Sequence, residues 1–272
     1  MTGANGTGDL VGLGIEEVRE RVQEILNSSS YRPTPQKMLS FIDLTSLGPD
    51  DDEDRIEALC QKALDVKAQA VCVYPKWASF CKSRYSEIKL AVVGQHFPTG
   101  DGRISLEETL SALEVPVDEV DMLIGPHLVW PRLEEEKIER EIEFLALRCH
   151  ERGIVLKVIL ESGGLEGTGL IPVLSKISLR AGADFIKTST GKTLKRASLE
   201  AAYLMLKSIE ESDLPAGFKP SGGLRSYEQV LPYFQLAHAI LGEKAIRPNR
   251  FRLGASSLAD ALLELPPPEK SS

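Results

Sequence analysis

The sequence predicts an α/β protein built as a (β/α)8 TIM barrel with an extra N-terminal helix. Three observations lead there. Between residues 38 and 263 short apolar runs alternate with longer amphipathic stretches, the mark of parallel βαβ units. Eight such pairs occur, and a chain of 272 residues suits one barrel, which needs about 250. No Pro-, Gly- or Ser-rich linker interrupts the middle of the chain. Residues 15–265 therefore read as a single barrel domain, between flexible segments at 1–14 and 266–272. An open doubly wound sheet is the alternative arrangement of the same pattern.

Taken in order, Ile15, Val18, Val22, Ile25 and Leu26 recur at helical spacing and give the extra N-terminal helix over 15–26. The strands are expected at 38–43, 70–73, 90–93, 120–124, 155–160, 185–187, 217–220 and 251–254. The helices that follow them are expected at 51–66, 77–85, 106–113, 133–150, 170–181, 199–211, 227–241 and 257–263. Ser105 with Glu108, and Ser226 with Gln229, have capping-box spacing. Gly182 and Gly242 follow helix ends, where a left-handed residue is often needed. The Pro-rich end, Leu265-Pro-Pro-Pro-Glu-Lys-Ser-Ser, reads as a polar tail.

Charged residues interrupt several of these apolar strands. Asp43 ends Phe-Ile-Asp, Asp121 lies in Glu-Val-Asp-Met-Leu-Ile, and Lys157 lies in Val-Leu-Lys-Val-Ile-Leu. Lys187 ends Phe-Ile-Lys, and Lys219 follows Gly-Phe. An unpaired buried charge is costly, so each needs a partner or a function. The C-terminal strand ends form the active face of a barrel, which suits all of these except the mid-strand Lys157. Lys187 and Lys219 fall on consecutive strands about 4.8 Å apart. A nearby positive charge and burial both favour the neutral, nucleophilic amine. Two lysines with Asp121 as proton carrier read as Schiff-base chemistry on a carbonyl substrate; a buried structural Lys–Asp pair is the plainer reading.

Glycine and hydroxyl turns follow the last three strands: Thr188-Ser-Thr-Gly191-Lys192, Ser221-Gly222-Gly223-Leu-Arg225-Ser226, and Gly254-Ala-Ser256-Ser257. Backbone amides at helix starts bind phosphate, and barrels often place that site after strands seven and eight. Ordinary turn chemistry would look similar. Gly191-Lys192-Thr193 also ends like a nucleotide P-loop, but that motif needs glycine where Ile186 stands.

Hydrophobic residues are 42% and charged residues 26%, and no apolar run reaches the length of a membrane span. The first ten residues lack the features of a signal peptide, so a cytoplasmic location is expected. A net charge of −8 argues against a nucleic-acid surface. Cys60, Cys72, Cys81 and Cys149 show no CxxC spacing and are expected to be free thiols. The four histidines are scattered, so no metal site is expected. Cys72, inside a strand, reads as a small core residue. His96 lies in the loop after strand three, on the predicted active face.

The segments Phe41-Ile-Asp-Leu-Thr-Ser-Leu47, Ala70-Val-Cys-Val-Tyr-Pro75, Phe97-Pro-Thr-Gly100, Asp118-Glu-Val-Asp121, Leu156-Lys-Val-Ile-Leu-Glu161, Gly182 to Lys192, Phe218 to Arg225 and Phe251 to Ser257 together resemble the deoxyribose-phosphate aldolases. The likeness runs over about four-fifths of the chain. It implies a class I aldolase that cleaves 2-deoxy-D-ribose 5-phosphate to D-glyceraldehyde 3-phosphate and acetaldehyde, needs no cofactor, and works in deoxyribonucleoside catabolism. The partners it implies are small sugar phosphates and aldehydes and, by family expectation, a second copy in a homodimer. By position, Lys187 matches the family's Schiff-base lysine, Lys219 the lysine that tunes it, and Asp121 the proton-relaying aspartate. Asp43, Thr45, Cys72 and Lys157 match pocket positions. Gly191, Lys192, Gly222, Gly223, Arg225, Gly254, Ser256 and Ser257 match the phosphate site.

Three departures stand out. Ser221 replaces a common alanine, and Gly125-Pro-His-Leu differs from the usual segment after strand four. Some members end in a tyrosine that reaches the active site; this chain ends Glu-Lys-Ser-Ser, so that contribution is expected to be absent. Another Schiff-base barrel aldolase, such as a transaldolase-like enzyme, and a non-catalytic phosphometabolite-binding barrel are the competing readings.

Overall fold

The computed structural model describes residues 10–99, 102–167, 169–194 and 197–266. Of the segments expected to be flexible, 1–14 and 266–272, residues 1–9 and 267–272 lie outside the described residues, as does Gly100. Leu10, within the segment expected to be flexible, is buried in a short 3-10 turn over Leu10–Gly12.

The strands are β1 (Ile42–Thr45), β2 (Ala70–Val73), β3 (Leu90–Val93), β4 (Glu119–Leu123), β5 (Val155–Ile159), β6 (Phe185–Lys187), β7 (Gly217–Lys219) and β8 (Leu253–Ala255). From β1 to β7 each strand pairs in parallel with the next, β1 also pairs with β8, and β7 and β8 meet through isolated parallel bridges, Phe218 with Phe251 and Ser221 with Gly254. The last seam closes through Phe218 N–H to Arg250 O at 2.9 Å, Arg252 N–H to Phe218 O at 3.1 Å and Gly254 N–H to Pro220 O at 2.9 Å. The expected (β/α)8 barrel is therefore the observed fold, and the open sheet is not.

The helices are α1 (Ile15–Ser28), α2 (Pro35–Leu39), α3 (Glu53–Asp65), α4 (Ala78–Arg84), α5 (Leu106–Ala112), α6 (Pro126–Val129), α7 (Glu135–His150), α8 (Leu170–Arg180), α9 (Leu199–Ser212), α10 (Tyr227–Leu241) and α11 (Leu258–Leu263). The helix α1 is the extra N-terminal one and packs on α9 and α10. None of the described helices is long and apolar enough to cross a membrane.

Two expectations need correction. The apolar pair Met38-Leu39 ends the helix α2 and does not begin strand one. Thr34 Oγ1 accepts from Lys37 N at 3.1 Å and Pro35 occupies the first turn, a strong local helix start. The stretch expected as one helix from 133 starts at Glu135, after a separate short α6. Ser105 and Glu108 form the complete capping box. At α10 Ser226 Oγ caps Gln229 N, but Gln229 Oε1 takes the Arg225 N–H, so the box is only half made.

Alternation along the strands divides the interior. Val71, Val73, Leu90, Val92, Val120, Met122, Leu156, Val158, Ile186 and Phe218 face the helices in one large core. The opposite positions face the barrel axis and carry a smaller apolar cluster, Cys72, Ala91, Val93, Leu123 and Ile159, beside a set of buried charges. Gly217 is required at the base of β7, since a Cβ there would fall 2.3 Å from the Phe185 ring.

Candidate active site

On β4, Asp121 is fully buried and gathers three lysines from three other strands. Its Oδ1 accepts from Lys157 Nζ on β5 at 2.7 Å; its Oδ2 accepts from Lys187 Nζ on β6 at 2.7 Å and Lys219 Nζ on β7 at 2.8 Å. Register explains the convergence: Asp121 sits opposite Lys157, and Lys187 opposite Lys219, all on inward positions. Asp43 on β1 closes the ring through Oδ2, 2.5 Å from Lys219 and 3.8 Å from Lys157. The five charges singled out in the sequence thus form one cluster, and Lys157, mid-strand, belongs to it.

Burial by itself would neutralise these groups, and the ion pairs decide which ones resist. Burial pushes the Asp121 carboxyl up, but Lys157, Lys187 and Lys219 together hold it well below the usual carboxylate range. Burial likewise opposes the charge on Lys219, and Asp121 and Asp43 outweigh it, raising that amine above the usual range. Lys157 is raised for the same reason by Asp121 and Glu119. Lys187 differs. Burial lowers its pKa, Asp121 only partly opposes this, and neighbouring Lys219 lowers it further. One of the three amines is thus biased toward the free base, and it is the one that lines the cleft.

The cleft has a volume of about 420 Å³ and opens at the C-terminal ends of the strands. Thr45 and Lys187 line its inner part, with Thr45 Oγ1 donating to Asp43 O at 2.9 Å. Behind Lys187 stands the apolar cluster, including Leu47, Cys72, Tyr74 and Phe97, whose ring centroid lies 5.9 Å from Lys187 Nζ. Cys72 is buried in that wall, and burial raises its thiol pKa, so it is a packing neighbour of the charges.

The three late turns form the outer wall, and every residue expected at a phosphate site lines this cleft: Gly191, Lys192, Gly222, Gly223, Arg225, Gly254, Ser256 and Ser257. Gly191, Gly222 and Gly223 have φ of 78°, 93° and 80°, the left-handed region that glycine supplies cheaply. Gly254 serves a different purpose. Its N–H is used by Pro220 O in closing the barrel, and a Cβ would fall 2.6 Å from Ser221 Cβ and 3.2 Å from Lys219 Cε. Arg225, Ser256 and Ser257 are exposed at the mouth. Lys192 Nζ donates to Leu47 O, bridging the loops after β6 and β1.

Ser221, the departure beside this turn, donates from Oγ to Ser189 O and from N–H to Thr188 Oγ1 at 2.9 Å, lacing the β6 and β7 loops together. His96 does not face the cleft: its Nε2 lies 2.8 Å from Glu141 Oε2 on α7, against His127. The departure at Gly125 fits this, because a Cβ there would meet His127 Cε1 at 2.6 Å.

Sequence reasoning missed four residues. Glu119 and Arg252 are buried beneath the cluster. Each lies two positions before an inward residue already noted, Asp121 and Gly254, so strand alternation was the signal that could have found them. Arg55 and Asp51, on the first turn of α3 and before it, line the cleft mouth. All four cysteines are free, as expected. Among the described residues, no group of three or more His, Cys, Asp or Glu side chains is placed to hold a metal ion.

A family model for DeoC/LacD family aldolases matches residues 37–263. Among solved structures, the chain is similar to a deoxyribose phosphate aldolase from Aeropyrum pernix, whose structure is described as tetrameric. The identity is 26% and the TM-score 0.69, over 90% of this chain and 96% of that one. An aldolase designated QR15 is 25% identical with a TM-score of 0.70, over 84% and 95% of the two chains. A protein from Coccidioides immitis assigned as a deoxyribose-phosphate aldolase shares the fold at 24% identity and a TM-score of 0.73, over 93% and 98%.

Proposed function

This chain belongs to the DeoC/LacD family of aldolases, and we propose that it catalyses the reversible cleavage of 2-deoxy-D-ribose 5-phosphate to D-glyceraldehyde 3-phosphate and acetaldehyde through a Schiff base on Lys187. The observation that carries this reading is the position of Lys187 Nζ. It lines the cleft beneath three phosphate-suited turns, and shares one oxygen of Asp121 with the Lys219 ammonium.

Uncharged Lys187 Nζ adds to the C1 aldehyde of the open-chain sugar, forming an N–C bond and a carbinolamine, which loses water to an iminium. A base removes the C3 hydroxyl proton, the C2–C3 bond breaks, and its electron pair enters the enamine conjugated with nitrogen. D-Glyceraldehyde 3-phosphate leaves. The enamine carbon takes a proton, and water hydrolyses the resulting iminium, releasing acetaldehyde and the free amine. Asp121, held as an anion by its three lysines, acts through a water as the shuttle for these protons, a contribution typically worth about 10²–10⁴-fold. Lys219 keeps Lys187 reactive, Asp43 and Lys157 hold the lysine–aspartate geometry, and Thr45 contacts the sugar. The turns of Gly191, Gly222, Gly223 and Ser256–Ser257, with Lys192 and Arg225, take the phosphate and orient the reacting end. The pathway, deoxyribonucleoside catabolism, the cytoplasmic location and a homodimeric state belong to the same proposal.

Acetaldehyde with borohydride tests the core of it. A stable two-carbon adduct on Lys187, found by peptide mapping, is the expected result; an adduct only elsewhere, or none, refutes the assignment. A panel of phosphorylated sugars run with the same trap separates this substrate from that of another Schiff-base aldolase.

A further inference from the structure

Beneath the reacting groups lies a second buried charge layer with no place in the chemistry just described. Arg252 is 2% exposed, and its guanidinium stacks 5.6 Å over the Phe185 ring. Its Nη2 donates to Glu119 Oε1 at 2.6 Å, and its Nη1 to Glu119 Oε2 at 3.2 Å and to Asp43 Oδ1 at 2.6 Å. Glu119 Oε2 also lies 2.5 Å from Lys157 Nζ. Neither residue reaches the cleft. Both, however, are bonded to the groups that are bonded to Asp121.

The charge sum makes this arrangement consequential. The connected cluster holds four basic groups, Lys157, Lys187, Lys219 and Arg252, against three carboxylates, Asp43, Glu119 and Asp121. With every amine protonated it carries one excess positive charge inside the barrel; with one amine free it is neutral. Arginine cannot give up its proton there. Lys157 and Lys219 each touch two or more carboxylates, whereas Lys187 touches only Asp121. The amine released by the mismatch is therefore Lys187. We propose that Arg252 and Glu119 are positioning residues that set the charge sum of this cluster and thereby the protonation of Lys187, the Arg252 cation favouring its free base and the Glu119 anion opposing it.

The groups facing Lys187 bear this out strand by strand. β1 supplies Asp43, β2 the uncharged Cys72, β4 Asp121 and Glu119, β5 Lys157, β7 Lys219, and the approach to β8 Arg252; β3 supplies only Ala91 and Val93. Lys89 lies 3.9 Å from Glu119 Oε1, but its side chain is 41% exposed and solvent screens it. The fixed charge of Arg252 is thus the one cation of the cluster, among the described residues, that has no proton to lose.

The proposal rests on Lys187 being the nucleophile, and its test is built to fail separately. Borohydride trapping of acetaldehyde on Lys187 is measured against pH in the full-length protein, with kcat/KM for the sugar phosphate followed in parallel. A unit charge roughly 10 Å away, at an effective dielectric of about 20, moves a pKa by about one unit. Arg252→Met removes a cation, so the acid limb should move up by about one pH unit, with trapping at pH 7 falling about tenfold. Glu119→Gln removes an anion, so the limb should move down by about one unit. The double variant restores the original excess of one cation and should return the limb to within a few tenths of a unit of the parent. A residue with only a structural role would lower the rate without moving the limb in opposite directions, and the double variant would be worse than either single one. Limbs that stay in place, or that move in the same direction, overturn the proposal. If Arg252→Met does not fold, the near-isosteric Glu119→Gln decides alone. Absence of any adduct on Lys187 in the parent protein refutes the Schiff-base reading itself.

Discussion

Lys219→Leu is the most direct test of how the site makes its nucleophile. Lys187 and Lys219 lie 2.7 and 2.8 Å from the same Asp121 oxygen. Two nitrogens so placed stand about 4–5 Å apart, where like charges repel by about 4 kcal/mol at an effective dielectric of about 20. That corresponds to roughly 2–3 pKa units held off Lys187. Without Lys219, Asp121 pairs with Lys187 alone and stabilises its ammonium form. The free-amine fraction near neutral pH should fall about 10²-fold or more, and kcat/KM with it. The sign of the pH dependence follows. On the proposed mechanism Lys187 acts as the free base, so activity should rise with pH, and the acid limb of the variant should move upward by about two units. The assay is initial-rate cleavage of 2-deoxy-D-ribose 5-phosphate across pH 5–10, with glyceraldehyde 3-phosphate detected by a coupled reduction. Thermal unfolding serves as a control, because removing one partner of a buried pair costs about 3–5 kcal/mol. A folded variant with near-parental kcat/KM at pH 7 and an unmoved limb would refute this reasoning.

Other perturbations address the remaining parts. Gly222 sits at φ 93° beside the cleft. Gly222→Val should raise KM for the phosphorylated sugar at least about tenfold, leaving the slow turnover of unphosphorylated 2-deoxyribose within about twofold; equal losses on both substrates would argue against a phosphate site there. Gly254→Ala places a methyl 2.6 Å from Ser221 Cβ. At about 1–3 kcal/mol for overpacking, Tm should fall by roughly 3–10 °C, and an unchanged Tm contradicts the close packing. Asp43, Glu119 and Asp121 all have depressed pKa values in the folded state because cations outweigh burial. Their contribution is complete above the unfolded carboxyl range and is lost as pH falls below about 4, since the unfolded chain then takes up protons that the native one refuses. The urea midpoint should drop steeply between about pH 4 and pH 2.5, and a flat midpoint over that window counts against the buried ion cluster.

Most of the barrel was legible because its signals are local. Eight apolar runs, the Ser105–Glu108 box and the glycines after α8 and α10 each act within a few residues. Met38-Leu39 misleads for the same reason: two apolar residues have no period, and only Thr34-Pro35 upstream tells helix from strand. The charges were legible as interruptions, so Lys187, Lys219, Asp121, Asp43 and Lys157 could be picked out, yet their partners depend on register across strands up to about 210 residues apart in sequence. Glu119 escaped because a glutamate at a strand start looks like a solvated end. Arg252 escaped because the residues around it draw attention to the turn that follows.

The division of the barrel interior argues for one orientation of the substrate. The charged side chains come from β1, from β4 to β7 and from Arg252 just before β8, while β2, β3 and the loops beyond them present Cys72, Ala91, Val93, Tyr74 and Phe97. On the proposed reaction, carbon 2 of the sugar carries no hydroxyl, and after cleavage it becomes the methyl of acetaldehyde. A hydroxyl at that carbon, turned toward Ala91, Val93 and Phe97, would lose its hydrogen bonds to water and gain no partner from them, since the Tyr74 hydroxyl already donates to Pro98 O, a loss of about 1–3 kcal/mol. On the proposed reaction, a carbon 2 turned toward this wall should make the deoxy substrate preferred over its 2-hydroxy counterpart by roughly 5- to 200-fold in kcat/KM. Ribose 5-phosphate assayed beside the deoxy sugar gives the measure, and Phe97→Ser, which puts a hydroxyl within this wall, should narrow the ratio. An undiminished ratio in that variant would place the discrimination elsewhere than Phe97.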